Sequence, residues 1–117
     1  MKKVVLNNCY GGFGLSDKAL ELIAKRKNTT DRISHWSLER DDEDLIAVVE
    51  ELGTEAESHC AELIILEFDE GVEYTISEYD GSESIDYYVP VTMEELIRGL
   101  SMMKLDLAGK YNNLKLV

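Results

Sequence analysis

The sequence predicts a small α+β domain, and three observations carry that prediction. Two capped, amphipathic helical stretches fall between residues 16 and 53. An alternating β-pattern is centred on a two-residue turn, Asp80-Gly81. A further capped helical segment follows Pro90. A chain of 117 residues suits a single domain spanning 1–117, and a hydrophobic fraction of 44% is enough to build one core.

Lys2 to Leu6 is a short apolar, β-branched run and reads as an N-terminal strand. Cys9-Tyr10-Gly11-Gly12-Phe13-Gly14 follows as a glycine-rich turn. Ser16 is placed to cap a helix whose apolar positions are Ala19, Leu20, Ile23 and Ala24, ending in the cationic run Lys25-Arg26-Lys27. Residues 28–39 show no period and read as a loop holding Trp36 and His35. Asp41 or Asp42 caps a second helix with an apolar face of Leu45, Val48, Val49 and Leu52, closed by Gly53.

Next comes an expected three-stranded antiparallel meander. The Asp80-Gly81 turn pairs Ile76 with Ile85, Tyr74 with Tyr87 and Val72 with Val89. A loop at Asp69-Glu70-Gly71 would place the strand Ile64–Phe68 beside them, pairing Ile64 with Ile76, Leu66 with Tyr74 and Phe68 with Val72. The outer face would then carry Glu67, Glu73 and Asp86, with an apolar corner at Leu63 and Ile65. That corner is either covered by the same chain or used for contact. After Pro90, Thr92 and Glu95 form a capping box for a helix from about Met93 to Met103, with Leu96, Leu100 and Met103 on its apolar face. Leu114 to Val117 can add a terminal strand.

Charge is strongly segregated. Residues 1–40 carry eight Lys/Arg against four Asp/Glu. Residues 41–97 hold nineteen Asp/Glu and no Lys/Arg, and residues 98–117 carry four Lys/Arg and one acid, within a net charge of −12. The middle segment would repel nucleic acid and anionic membrane and would attract a host protein with a basic surface; solubility is the plainer account. The acids expected to face such a partner are Asp41, Asp42, Glu43, Asp44, Glu67, Glu73 and Asp86. No apolar stretch reaches the length of a membrane span, and Val4–Leu6 is too short for a signal peptide. Cys9 and Cys60 make no disulfide framework, which points to a reducing cytoplasm.

Strand, glycine turn and capped helix together can present backbone N–H groups to a small anionic, nucleotide-like ligand. The residues concerned are Cys9, Tyr10, Gly11, Gly12, Phe13, Gly14 and Ser16, with Lys18, Arg26, Arg32 and Arg40 as the cations within reach. The third glycine of a dinucleotide fingerprint is missing and no P-loop lysine follows, so a structural turn is the simpler account. Cys9 as a nucleophile would need His35 or His59 supplied by the fold, and the spacing gives no support for this. Asp41 to Asp44 lack the spacing of a calcium loop, and His59-Cys60 has no second pair of zinc ligands. No cofactor or metal is expected.

The opening Asn7-Asn8-Cys9-Tyr10-Gly11-Gly12-Phe13-Gly14-Leu15-Ser16 resembles that of a group of uncharacterised proteins of tailed bacteriophages. Arg40-Asp41-Asp42 leading into Val48-Val49-Glu50-Glu51-Leu52-Gly53, and Glu78-Tyr79-Asp80-Gly81, are similar to two further blocks of that group. The resemblance implies a phage origin and a bacterial cytoplasm. It brings no catalytic residue with it. The expectation is a non-enzymatic accessory protein for counter-defence or host takeover, with ligand sequestration and cysteine catalysis as alternatives and subunit association open.

Overall fold

A computed structural model describes residues 1–31, 33–34, 37–59 and 61–117 of the chain. Arg32, His35, Trp36 and Cys60 lie outside them. Among the described residues there are four α-helices and five strands in two small sheets, an α+β fold as the patterning predicts. No helix among them is long and apolar enough to cross a membrane. The chain divides into two compact units. The first comprises residues 2–67 and 78–84, and the second residues 1, 68–77 and 85–117.

In the first unit, strand β1 (Lys2–Asn7) is buried from Val4 to Asn7. Helix α1 (Asp17–Arg26) starts at Ser16, whose hydroxyl accepts from the Ala19 N–H at 3.2 Å. Helix α2 (Glu43–Leu52) starts at Asp42 rather than Asp41, ends on Gly53 and continues into a 3₁₀ turn, Gly53–Ala56. Val5, Phe13, Leu15, Ala19, Ile23, Leu45 and Val48 make the core of this unit. Strand β2 (Leu63–Phe68) pairs with β1, and its Leu63 and Ile65 pack on that core. The apolar corner foreseen at Leu63 and Ile65 is therefore covered within the same chain.

This pairing corrects the expected meander, because β2 is not the neighbour of β3 (Glu73–Tyr79). Strands β3, β4 (Ser82–Val91) and β5 (Leu114–Leu116) form the second sheet in that order, with β5 parallel to β4 and Val89 beside Leu114. The β3–β4 turn falls at Asp80-Gly81. Both residues have positive φ, +50° and +92°, the sign pattern of the tight hairpin turn that follows the strand twist. The tip of this hairpin, 78–84, belongs to the first unit.

The expected single C-terminal helix is two helices, α3 (Met93–Arg98) and α4 (Met102–Tyr111). The Thr92/Glu95 capping box is present. Gly99, at φ +97° and ψ +151°, takes a conformation open almost only to glycine and stops α3 there. Leu96 and Met103 are about half exposed or more, so they do not form the buried stripe the sequence suggested. In the second unit, Leu107 of α4 is buried, and Phe68 packs on the rings of Tyr74 and Tyr87 at 5.4 and 5.0 Å. Tyr87 in turn meets Tyr111 at 5.4 Å.

Candidate interaction site

The glycine-rich turn and the hairpin tip are joined through the first unit. Asn7 ends β1 fully buried, and a buried polar side chain must find partners. Its Nδ2 donates to the carbonyls of Cys9 (2.7 Å) and Gly81 (2.8 Å), and its Oδ1 accepts from the Glu62 N–H (3.0 Å). The Asn7 backbone N–H donates to Glu83 (3.0 Å), and Glu83 also holds Arg40 through two oxygens, at 2.9 and 3.3 Å. The Arg40 guanidinium lies 3.6 Å from the centre of the Phe13 ring, stacked on a buried aromatic face.

The candidate ligand residues occupy this seat. The Gly11 N–H donates to the Asp80 carbonyl at 3.2 Å. The Gly81 N–H donates to the Glu78 carboxylate, and a Cβ on Gly81 would run into the backbone of Gly11 and Gly12. Gly14 is buried; its carbonyl accepts from the Ser58 N–H at 3.2 Å, and a side chain there would strike Ser58. Ser16 donates its hydroxyl to the Glu55 carbonyl at 2.6 Å and its N–H to the Ala56 carbonyl at 2.9 Å. Phe13 is buried and Cys9 half-buried, while Tyr10 faces solvent at 64% exposure. The backbone of Gly11 and Gly12 thus lies against the hairpin tip at Gly81, whereas Gly14 is needed for its approach to Ser58. Of the cations named for an anionic ligand, Lys18 pairs with Glu55, Arg26 with Asp44 and Arg40 with Glu83, and Arg32 lies outside the described residues.

The Cys9 thiol makes no hydrogen bond among the described residues. His59 is exposed, and the other expected base, His35, is outside them.

The acids expected to face a partner fall into two groups. Asp42 caps α2 by accepting from the N–H groups of Asp44 (2.9 Å) and Leu45 (3.1 Å), and it accepts from Lys27 Nζ at 2.8 Å. Asp44 takes Lys27 at 3.0 Å and Arg26 at 3.1 Å, so the cationic end of α1 is clamped to the anionic start of α2. Burial pushes the Asp42 carboxyl up, but the Lys27 ammonium and the two backbone N–H groups outweigh it and hold the group below its ordinary range. Hydrogen bonds to the Asp42 and Asp44 carboxylates raise Lys27 in turn, against the opposing effect of burial. Asp41 and Glu43, beside them, are exposed and have no ion pair among the described residues. Glu67 lies 3.8 Å from Lys3. Glu73 and Asp86 are exposed on β3 and β4 of the second unit. With β2 in a different sheet from β3 and β4, the shared outer face expected for Glu67, Glu73 and Asp86 does not form.

Sequence reading missed Asn7 and Glu83, and it weighed Arg40 only as a cation within reach of a ligand. The signal for Asn7 was an amide directly after an apolar strand, where the chain has no reason to surface before its turn. No family model, curated protein or solved structure matches this chain.

Proposed function

We propose that this chain is a non-enzymatic accessory protein that works by binding, and that its partner is a protein with a basic surface. The observation that supports this most directly is the uneven commitment of its charges. Lys3, Lys18, Arg26, Lys27 and Arg40 are each bonded to a carboxylate of their own unit, while Asp41 and Glu43 stand exposed with no ion pair among the described residues. Asp42 and Asp44 are fixed by Lys27 and by the helix cap, so the free pair projects from an ordered backbone and little freedom is lost on binding. Carboxylates with no cation beside them steer a Lys/Arg-bearing surface inward and repel phosphates.

The resemblance of the opening to phage proteins supports a setting in the cytoplasm of an infected bacterium. A host immune or nucleic-acid-handling factor would be the target, and counter-defence or host takeover the outcome.

The test is capture from bacterial lysate on the tagged chain, with the eluate weighed by native mass spectrometry. A stoichiometric basic protein should be retained at about 0.15 M salt and released near 1 M, where screening reaches about 3 Å. The pair Asp41→Lys and Glu43→Lys should weaken capture by about tenfold or more with the circular dichroism unchanged. Capture indifferent to both salt and charge reversal would remove this reading.

A further inference from the structure

The hairpin tip, residues 78–84, docks on the first unit without burying apolar surface. Its sequence, Glu78-Tyr79-Asp80-Gly81-Ser82-Glu83-Ser84, holds one large apolar side chain, and that one, Tyr79, is 77% exposed. No residue of the tip belongs to the core of the unit. Its contacts are backbone approach and polar bonds: the Gly11 N–H to the Asp80 carbonyl, the Asn7 amide to the Gly81 carbonyl, and the Glu83 carboxylate on Arg40 and the Asn7 N–H. Polar bonds of this kind exchange for equivalent ones at small net cost, whereas buried apolar area has no substitute in water.

The seat under Glu83 is held by contacts that do not involve the tip. The Val5 N–H donates to the Arg40 carbonyl at 2.8 Å, which fixes the Arg40 backbone against β1. The Arg40 guanidinium rests on the buried Phe13 ring. The Asn7 side chain keeps the Cys9 carbonyl and the Glu62 N–H. Glu83 fills this seat with both oxygens. Its Oε1 accepts from the Asn7 N–H (3.0 Å) and Arg40 Nε (3.3 Å), and its Oε2 accepts from Arg40 Nη2 (2.9 Å), with the Glu83 side chain 9% exposed. Without that carboxylate the Arg40 charge and the Asn7 N–H would lose their partner together, a state that only another oxyanion relieves.

We infer that the hairpin tip is a releasable latch and that Glu83 is the internal occupant of a carboxylate seat: when the tip lifts, Arg40 and the Asn7 N–H take the carboxylate of a small molecule. The arrangement is preorganised for two oxygens in one plane, the shape of a carboxylate. Charge narrows the choice further. The unit carries seventeen Asp/Glu against eight Lys/Arg, so a single negative charge is admitted more readily than a phosphate dianion. The tethered Glu83 competes as if present at millimolar concentration or more, which keeps the seat closed until a ligand is abundant or binds through further contacts. This site is separate from the carboxylates at Asp41 and Glu43 and stands or falls without them.

The test uses sodium acetate as the probe, against sodium chloride at matched ionic strength and pH 7. In Glu83→Ala, acetate up to about 100 mM should move the Asn7 N–H resonance saturably and raise the melting temperature by several degrees over chloride. The wild-type chain should need at least about tenfold more acetate for the same resonance shift. The double variant Glu83→Ala, Arg40→Leu should lose the effect, and inorganic phosphate should bind Glu83→Ala more weakly than acetate. Amide exchange of the wild-type chain tests the latch even where the variant does not fold. The Asn7 N–H should be at least about tenfold less protected than the Val5 N–H on the same strand, because it opens with the tip and not with the unit. Acetate acting no differently from chloride, an effect that survives the loss of Arg40, tighter binding of phosphate, or equal protection of Asn7 and Val5 would each overturn the inference.

Discussion

At the scale of single residues, this protein is decided by close approaches that tolerate nothing larger. Gly81 combines φ +92° with backbone atoms of Gly11 and Gly12 where a Cβ would sit, whereas Gly12, at φ +99°, has open space there. Gly81→Ala should therefore cost about 2–4 kcal/mol, strain and collision together, and Gly12→Ala only about 1 kcal/mol of strain, both read from urea unfolding. Equal losses would mean that the hairpin tip is not seated on the glycine turn. Asn7 makes a second case. Its side chain satisfies two carbonyls and one N–H while fully buried, so Asn7→Leu keeps the branching of the side chain, adds bulk and orphans all three groups. A loss of about 2–4 kcal/mol is expected in the same assay, far beyond the cost of an exposed substitution. A near-neutral result would show that the tip can hydrate without the amide.

At the scale of elements, the joint between α1 and α2 makes stability depend on pH in both directions. Asp42 is held below its ordinary range in the folded chain, so its contribution is complete above the unfolded value near 3.8 and is lost as pH falls through the folded one. Lys27 is raised above 10.5, so its contribution is complete below that value and disappears as pH climbs through the folded one. Unfolding free energy measured from pH 2 to 7 should fall below about pH 4, and Asp42→Asn should flatten that fall, as an amide can still cap α2 but cannot hold Lys27 as an ion. An unchanged acid limb in Asp42→Asn would place the acid sensitivity elsewhere. These helices were legible in the sequence because their instructions are local: Ser16, Asp42 and Gly53 stand within a turn of what they cap. So was the hairpin at Asp80-Gly81. The partner of β2 was not. Leu63, Ile64, Ile65 and Leu66 are apolar on both faces, so alternation could not choose a side, and Asp69-Glu70-Gly71 gave a local turn signal toward β3. The true neighbour, β1, lies far back in the chain, and the helical core under Leu63 and Ile65 selects it. The site was half legible for the same reason. The glycine turn announced itself, but its occupant, the hairpin tip, is about seventy residues away, a contact no local rule reports.

At the scale of the whole molecule, the surplus of carboxylates gives salt two opposite effects. Residues 2–67 and 78–84 carry seventeen Asp/Glu against eight Lys/Arg, and most of those cations are already paired. Exposed ion pairs contribute little and are weakened by salt, while the repulsion among the remaining acids is relieved by it. The balance favours relief, so melting followed by circular dichroism should shift upward by several degrees between about 10 mM and 500 mM sodium chloride at fixed protein concentration. A downward shift would mean that the ion pairs outweigh the repulsion and that the acids are better compensated than their number suggests. The sign also bears on the proposed partner. If salt stabilises the fold while it releases a bound basic protein, the release cannot come from unfolding of this chain. It must come from screening between two surfaces, and Asp41 and Glu43 are then the first carboxylates to reverse.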